Sequence, residues 1–218
     1  PVFAIFFPIE TAITLTAIVH FFNNIFKTTL TYKDINFEIL KRFGIPSIFG
    51  AIIGSFVLVK LAIYFDEFNY KILKINLTTS LLKIIIGALI FAFTIVELIN
   101  LDKWINASKK TLFFGGIISG FFGGVSGHQG ALRTLFLSKM KLDKFSFISS
   151  GIAIALIVDI SRIPIYFSNF MFQDLYNGVE TSIVAISTAL IGAIIGKKFL
   201  KKIKLNSLYK IVSICLIL

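Results

Sequence analysis

The sequence predicts an all-α, polytopic integral membrane protein, and three observations carry this prediction. First, 56% of the 218 residues are hydrophobic and only 15% are charged, whereas soluble domains carry about 25% charged residues. Second, five apolar stretches are long enough to cross a hydrocarbon core of roughly 30 Å. Third, the basic residues cluster between these stretches. Together these features exclude a soluble enzyme domain, a disordered tail and a disulfide-linked secreted module.

The predicted spans are, in chain order, Ile9–Phe26, Phe43–Phe65, Leu77–Ile99, Phe145–Phe167 and Ser182–Phe199. A sixth begins near Leu208. Pro8 and Glu10 are typical of a helix start, because Pro fits the first turn and an acid there offsets the helix dipole. The chain starts without Met and ends within a short apolar run, so we expect a fragment truncated at both ends.

The stretch Leu112–Ser138 is also apolar, but it differs from the spans in its glycine content. Seven glycines lie between Gly115 and Gly130, and each weakens a helix by about 1 kcal/mol relative to Ala. A cluster of this kind indicates one of two structures. Either a single long helix packs closely against its neighbours, or the segment is broken and re-entrant.

The distribution of Lys and Arg favours the re-entrant alternative. Four loops hold 16 of the 22 basic residues, namely 27–42, 101–111, 139–144 and 197–210, and the loop 168–181 holds none. Basic loops remain on the cytoplasmic side. All four can do so only if 112–138 enters and leaves on one side, which predicts a hairpin with arms of about 12 residues. The net charge of +11 therefore reports topology and gives no reason to expect a nucleic-acid partner.

An internal repeat divides the chain into two halves. The string Gly-Ala-Ile-Ile-Gly occurs at Gly50–Gly54 and again at Gly192–Gly196, and the charge of the flanking loops reverses between the copies. We therefore predict a single membrane domain made of two inverted repeats, residues 1–100 and 112–218, each with a Gly-rich broken segment and about three spanning helices. Most of the first repeat's hairpin is expected to precede Pro1.

The predicted hairpin tip is the best candidate for a substrate-binding site. It comprises Ser126, Gly127, His128, Gln129 and Gly130. Glycine lets a ligand approach the backbone closely, and the start of the helix that follows attracts anions. His128 can titrate near neutral pH and so couple proton movement to transport, or it serves only as a packing or capping residue. The sequence leaves both roles open.

Arg133 lies one turn after the tip and completes the predicted substrate-binding set. Its planar guanidinium suits a sulfonate or carboxylate. The alternative is that its long side chain extends to the nearby cytoplasmic surface.

Three further polar residues are candidates for a pathway or coupling role. Asp159 and Arg162 are three residues apart, so they share a helix face and can pair, either as a structural ion pair or along the outer half of the path. His20 lies near mid-depth in its helix, and the repeat offset of 142 residues places it opposite Arg162. We predict no catalytic residue, no cofactor and no metal, because the single Cys215 and the two His residues form no nucleophile–base or metal-binding spacing.

Two stretches carry a family resemblance. Gly120–Leu137, which reads GFFGGVSGHQGALRTLFL, and Ile157–Tyr166, which reads IVDISRIPIY, resemble the TauE/SafE sulfite exporter family, also called the toluene sulfonate uptake permease family. The resemblance implies two repeats of about four helices, each led by a Gly-rich segment. It also implies export or uptake of small sulfur-containing anions such as sulfite, sulfoacetate or thiosulfate. Where many members carry a Pro after the glycines, this chain has Thr134 and Leu135.

The sequence thus predicts a secondary transporter, or permease, for small anions in the plasma (inner) membrane of a bacterium. Its expected partners are the small anionic substrate and the lipid bilayer, with protons as a candidate coupling ion. A non-transporting assembly or anchoring subunit is the alternative. ATP-driven pumping and enzyme activity are disfavoured, because the chain has no G-x-x-x-x-G-K-[ST] loop and no catalytic cluster.

Overall fold

The computed structural model describes residues 2–64, 67–72, 75–98, 108–170, 176 and 178–200. The helices are α1 (Ile9–Thr31), α2 (Phe37–Tyr64), α3 (Leu81–Leu98), α4 (Lys109–Ser126), α5 (Gly130–Leu137), α6 (Lys144–Asn169) and α7 (Val179–Leu200). The strands β1 (Glu67–Ile72) and β2 (Ile75–Ser80) pair antiparallel between α2 and α3. Short 3-10 turns occupy Val2–Ile5, Tyr32–Asp34 and Ser138–Met140. The predicted all-α class is confirmed, with one added β-hairpin.

Four of the five predicted spans are confirmed as helices long and apolar enough to cross a membrane: α1, α2, α6 and α7. The fifth, α3, has 18 residues and a length of about 27 Å. Its predicted start at Leu77 is wrong, because β2 continues to Ser80. The β-branched residues Thr78 and Thr79 favour a strand over the first turn of a helix. The predicted sixth span, near Leu208, lies outside the described residues.

Side chains at the helix starts fix several of these bounds. Helix α1 begins directly after Pro8 with Glu10 in its first turn, as predicted. The Ser108 hydroxyl accepts a hydrogen bond from the Thr111 N–H at the start of α4. The Asp143 carboxylate accepts from two backbone N–H groups at the start of α6. These caps satisfy amides that have no partner within the helix.

The surface of the helices is rich in large apolar side chains. Phe49, Ile53 and Phe56 are exposed on one face of α2, and Ile191 and Ile194 are exposed on α7. A water-soluble monomer seldom leaves so many aromatic and aliphatic groups uncovered. Lipid chains cover such faces at no cost, so the surface agrees with a multi-pass membrane protein.

The glycine-rich stretch turns back on itself, as predicted. Leu112 near the start of α4 and Leu137 at the end of α5 belong to one buried cluster, together with Ile39, Phe43 and Ile154. Both ends of the hairpin therefore lie at the same end of the molecule. We call this the basic end. Lys41 and Arg42 are sequence neighbours of Ile39 and Phe43 in this cluster, and Lys27 lies near the end of α1. The arms are unequal, with 18 residues in α4 and 8 in α5, so the predicted equal arms are wrong.

Five glycines bring α2 and α4 into backbone contact. They are Gly50 and Gly54 on α2 and Gly116, Gly120 and Gly124 on α4. A Cβ added to any of them would lie between 2.0 and 2.3 Å from a backbone oxygen of the other helix. We call this contact the glycine interface. These glycines lie inside continuous helices. Their role is to allow the close approach of α2 and α4, which drives helix association in lipid.

Helix α6 completes the surroundings of the hairpin. It packs against α1 and α2, and α7 packs against α1. The largest buried apolar cluster links Ile13 and Ala17 of α1 with Leu58 of α2, Val125 of α4 and Tyr166 of α6. The C-terminal end of α4 is therefore enclosed on several sides, close to the predicted tip.

Candidate functional site

The turn that joins α4 to α5 lies at the predicted tip. Helix α4 ends at Ser126, and α5 begins at Gly130. Gly127 has a φ of 78°, the left-handed conformation that glycine adopts at little cost. Of the seven glycines in this stretch, Gly127 is the one with a positive φ. The helix is therefore broken at one position only.

His128 is tied to the end of α4. Its Nδ1 lies 2.9 Å from the Ser126 carbonyl oxygen. A carbonyl can only accept, so Nδ1 carries the hydrogen in this contact and Nε2 is left for another partner. The Ser126 hydroxyl donates to the Phe122 carbonyl at 3.0 Å, and it accepts from the His128 N–H at 3.3 Å. The expected capping role of His128 is thus present, and its second ring nitrogen remains available for chemistry.

Gln129 and Gly130 differ in how tightly they are held. Gln129 is 5% exposed, and its backbone oxygen accepts hydrogen bonds from the Ser119 hydroxyl and the Arg133 N–H. Its side-chain Oε1 is buried with no hydrogen-bond partner. Next to it, Gly130 has open space where a side chain would stand. A buried amide beside an open backbone position can bind a polar ligand.

Asp159 and Arg162 form the buried ion pair that the sequence allowed. Arg162 donates to Asp159 Oδ1 from Nε at 3.0 Å and from Nη2 at 2.7 Å. Asn24 of α1 donates to Asp159 Oδ2 at 2.8 Å. The side chains of Asp159 and Arg162 are 1% and 2% exposed. The pair is therefore buried in this structure, and the expectation that it lines the outer half of the path stays a prediction.

The same face of α6 holds the last turn of α4. Arg162 Nη1 donates to the Gly123 carbonyl at 3.1 Å, and the Tyr166 hydroxyl donates to the Gly124 carbonyl. Carbonyls at the end of a helix need partners beyond the regular helical pattern; here the Gly123 carbonyl also accepts from the Gly127 N–H that caps α4. Gly127 must also remain glycine for spatial reasons, because a Cβ there would lie 2.8 Å from Arg162 Nη1. We call Asn24, Asp159, Arg162 and Tyr166 the α6 clamp.

Arg133 extends from α5 toward α6. Its Nε would lie 3.3 Å from a Cβ at Gly151 of α6, and Asp159 attracts it electrostatically. Among the described residues, its buried Nη1 has no hydrogen-bond partner. It also lines a cavity of about 500 Å³ at the basic end. The two arginines therefore differ in kind, since Arg162 is paired on three of its nitrogens and Arg133 retains an unsatisfied one.

His20 reaches the same region from α1. Its side chain is exposed, and it lies close enough to Arg162, Asp159 and His128 to interact with each electrostatically. The repeat offset that pairs His20 with Arg162 in the other half stays a prediction. Among the described contacts, His20 has no hydrogen bond to the α6 clamp.

Two members of the α6 clamp were missed by sequence reasoning. Asn24 lies one helical turn after His20, and Tyr166 lies seven residues after Asp159 on the same face of α6. Tyr166 could have been found by extending the Asp159–Arg162 spacing by one turn. Asn24 offered only the signal of an amide within an apolar helix.

The comparisons with known proteins point to one family. The sequence model of the family described as Sulfite exporter TauE/SafE matches residues 1–218. No curated protein and no solved structure matches the chain. The match covers both stretches that carry the resemblance, the hairpin from Gly120 and the α6 face that holds it. The chain therefore belongs to the sulfite exporter TauE/SafE family, a family of membrane transporters.

Proposed function

We propose that this protein is a secondary transporter of small sulfur-containing oxyanions or organosulfonates, such as sulfite, thiosulfate or sulfoacetate, in the plasma membrane of a bacterium. One observation carries the proposal: the partnerless, buried Nη1 of Arg133 on the arm that returns from the hairpin tip. An arginine nitrogen is costly to bury without an acceptor. An oxyanion supplies that acceptor, and two of its oxygens match the guanidinium fork.

The tip supports the same assignment. Open space at Gly130 leaves the start of α5 accessible, and helix starts attract anions. The Gln129 amide can turn to present its NH2 group instead of Oε1. In this proposal Ser126 and Gly127 hold the turn, and His128, Gln129, Gly130 and Arg133 supply the groups that would contact the anion.

The α6 clamp has a positioning role in this proposal. Asp159 and Arg162 satisfy each other and fix the carbonyls of the last turn of α4, so they set the position of the tip without touching the substrate. His20 and His128 are the candidates for proton coupling. Imidazole is the side chain that proteins most often use to take up and release a proton, and the two rings interact electrostatically.

The proposal is tested by flux through proteoliposomes that contain the full-length protein. Sulfite, thiosulfate, sulfonates and carboxylates are each offered with and without a proton gradient. We expect Arg133→Gln to lower sulfur-anion flux by at least about tenfold, because a charge-assisted contact is lost, and Arg133→Lys to restore part of it. Arg42→Gln is the matched control, since Arg42 pairs with Glu38 on the surface. His128→Gln is expected to remove the response to the gradient.

Two results would contradict the proposal. Wild-type vesicles would show no anion-dependent flux above protein-free vesicles. Alternatively, joint substitution of His128, Gln129 and Arg133 would leave flux unchanged. The second result would favour the assembly or anchoring subunit.

A further inference from the structure

A cavity at the basic end lies between four helices and is lined by basic residues from three of them. Lys27 comes from α1, Arg133 from α5 and Lys197 from α7, and α6 supplies part of the apolar wall. The cavity has a volume of about 500 Å³, and no Asp or Glu is among its described lining residues. We call it the basic vestibule.

The cations of the basic vestibule repel one another. Lys27 is half-buried and lies close enough to Arg133 for the two positive charges to oppose each other. Among the described residues, the buried Arg133 Nη1 has no acceptor. Asp159 attracts Arg133 electrostatically, but Asp159 is paired with Arg162 and does not line the vestibule. Like charges among apolar helices are unfavourable unless a negative group offsets them. An anion in the vestibule would therefore reduce the repulsion between Lys27 and Arg133.

Lys197 places a third cation at the wall of the vestibule. Its Nζ donates to the Leu30 carbonyl at 2.9 Å, although the side chain is exposed. An ammonium group has three hydrogens, so this contact leaves two for a ligand. The neighbouring Lys198 does not line the vestibule.

The remaining wall leaves room for a ligand. Gly192 and Gly196 of α7 line the vestibule, and nothing lies within 4 Å of where their side chains would stand. Leu30, Phe147 and Ile152 add apolar surface. A cavity with an apolar wall and three cations fits an anion that carries an oxyanion head and has space for a small organic body.

We infer that the basic vestibule is a second oxyanion site, in which Lys27 and Lys197 collect the transported anion and pass it to Arg133. The inference rests on the proposed function and adds two residues and a location to it. The sequence predicts Lys27 and Lys197 only as members of the basic loops. Arg133 belongs to both places, because it lines the vestibule and follows the tip by one helical turn.

The test compares two double variants of the full-length protein with the same change in charge. Lys27→Gln with Lys197→Gln removes the two vestibule lysines. Lys41→Gln with Lys198→Gln removes two exposed lysines that do not line the vestibule. We expect the first pair to raise the half-saturating sulfite concentration about tenfold, to keep the maximal rate within about twofold, and to weaken its dependence on ionic strength. The control pair should change the half-saturating concentration by less than about twofold.

A second measurement separates this inference from the proposed function. Sulfite should raise the thermal stability of the wild-type protein in detergent, and the first double variant should lose that response while folding normally. If the wild type shows no flux but is still stabilised by sulfite, the transport proposal is wrong, and the assignment of the vestibule as an oxyanion-binding site is retained. If flux is present but both double variants match the wild type, the vestibule inference is overturned. Equal losses in both double variants would also overturn it, because the cause would then be general surface charge.

A lipid phosphate is the other source of an oxyanion at this place. The flux assay is therefore repeated in vesicles of neutral lipid and in vesicles that contain anionic lipid. The inference predicts the same shift in both. A shift confined to anionic vesicles would identify a lipid headgroup as the occupant and overturn the assignment to the substrate.

Discussion

The two sides of the hairpin are built from similar residues but packed in opposite ways. On one side α4 contacts α2 through the glycine interface and is held by the α6 clamp. On the other side α5 and α7 enclose the basic vestibule. Each side has an arginine and a copy of Gly-Ala-Ile-Ile-Gly. In one case the arginine is paired and the glycines are buried against protein. In the other the arginine has an unsatisfied nitrogen among the described residues and the glycines meet open space. The role of an arginine or a glycine in this fold therefore depends on how it is packed and not on its residue type.

Breaking the pairing of the two arginines should give the largest contrast. Arg162→Gln leaves Asp159 buried with Asn24 as its remaining partner, and removing one member of a buried pair costs about 3–5 kcal/mol. Arg133→Gln removes a guanidinium that has a nitrogen without a hydrogen-bond partner among the described residues. We therefore expect the free energy of unfolding to be unchanged or slightly higher. Thermal unfolding of each variant in detergent measures the difference. Equal destabilisation by the two changes would show that Arg133 has a structural partner.

The two copies of the repeated string give the next contrast. Gly54→Ala places a Cβ 2.0 Å from the Phe121 carbonyl oxygen, so α2 and α4 must separate. Overpacking of this kind costs about 1–3 kcal/mol or more. Gly196→Ala meets nothing within 4 Å and should leave stability unchanged. Yield of folded protein on size-exclusion chromatography reports both. A comparable loss from Gly196→Ala would show that the second copy also packs against a helix in the working protein.

The smallest contrast concerns a single hydroxyl. Tyr166→Phe removes the donor to the Gly124 carbonyl and leaves that buried oxygen without it, at an expected cost of about 1 kcal/mol. Tyr176→Phe is the matched control, because Tyr176 is 79% exposed. Chemical unfolding of both variants tests the difference. If Tyr166→Phe behaved like its control, the clamp on α4 would depend on Arg162 alone.

Much of the hairpin could be predicted from the sequence. The glycine cluster and the loop charges predicted that 112–138 turns back, and the candidate tip at Ser126–Gly130 contains the turn. The equal arms were wrong because glycine has two uses in a membrane helix. Gly116, Gly120 and Gly124 allow close packing, while Gly127 adopts the left-handed conformation. Composition counts both kinds alike, and only the neighbouring helix separates them.

Apart from the β-hairpin before α3 and the lengths of the two hairpin arms, the sequence by itself determined which segments are apolar helices and where the basic residues cluster along the chain. These properties depend on local hydrogen bonding, hydropathy and charge, so they can be predicted from a window of some twenty residues. The tertiary structure decided which arginine is paired, which glycine copy is buried and where the cations converge. Asn24 reaches Asp159 across 135 residues of chain, and Lys27, Arg133 and Lys197 meet in one cavity from three helices. Such contacts follow from how helices pack, and no local pattern encodes them.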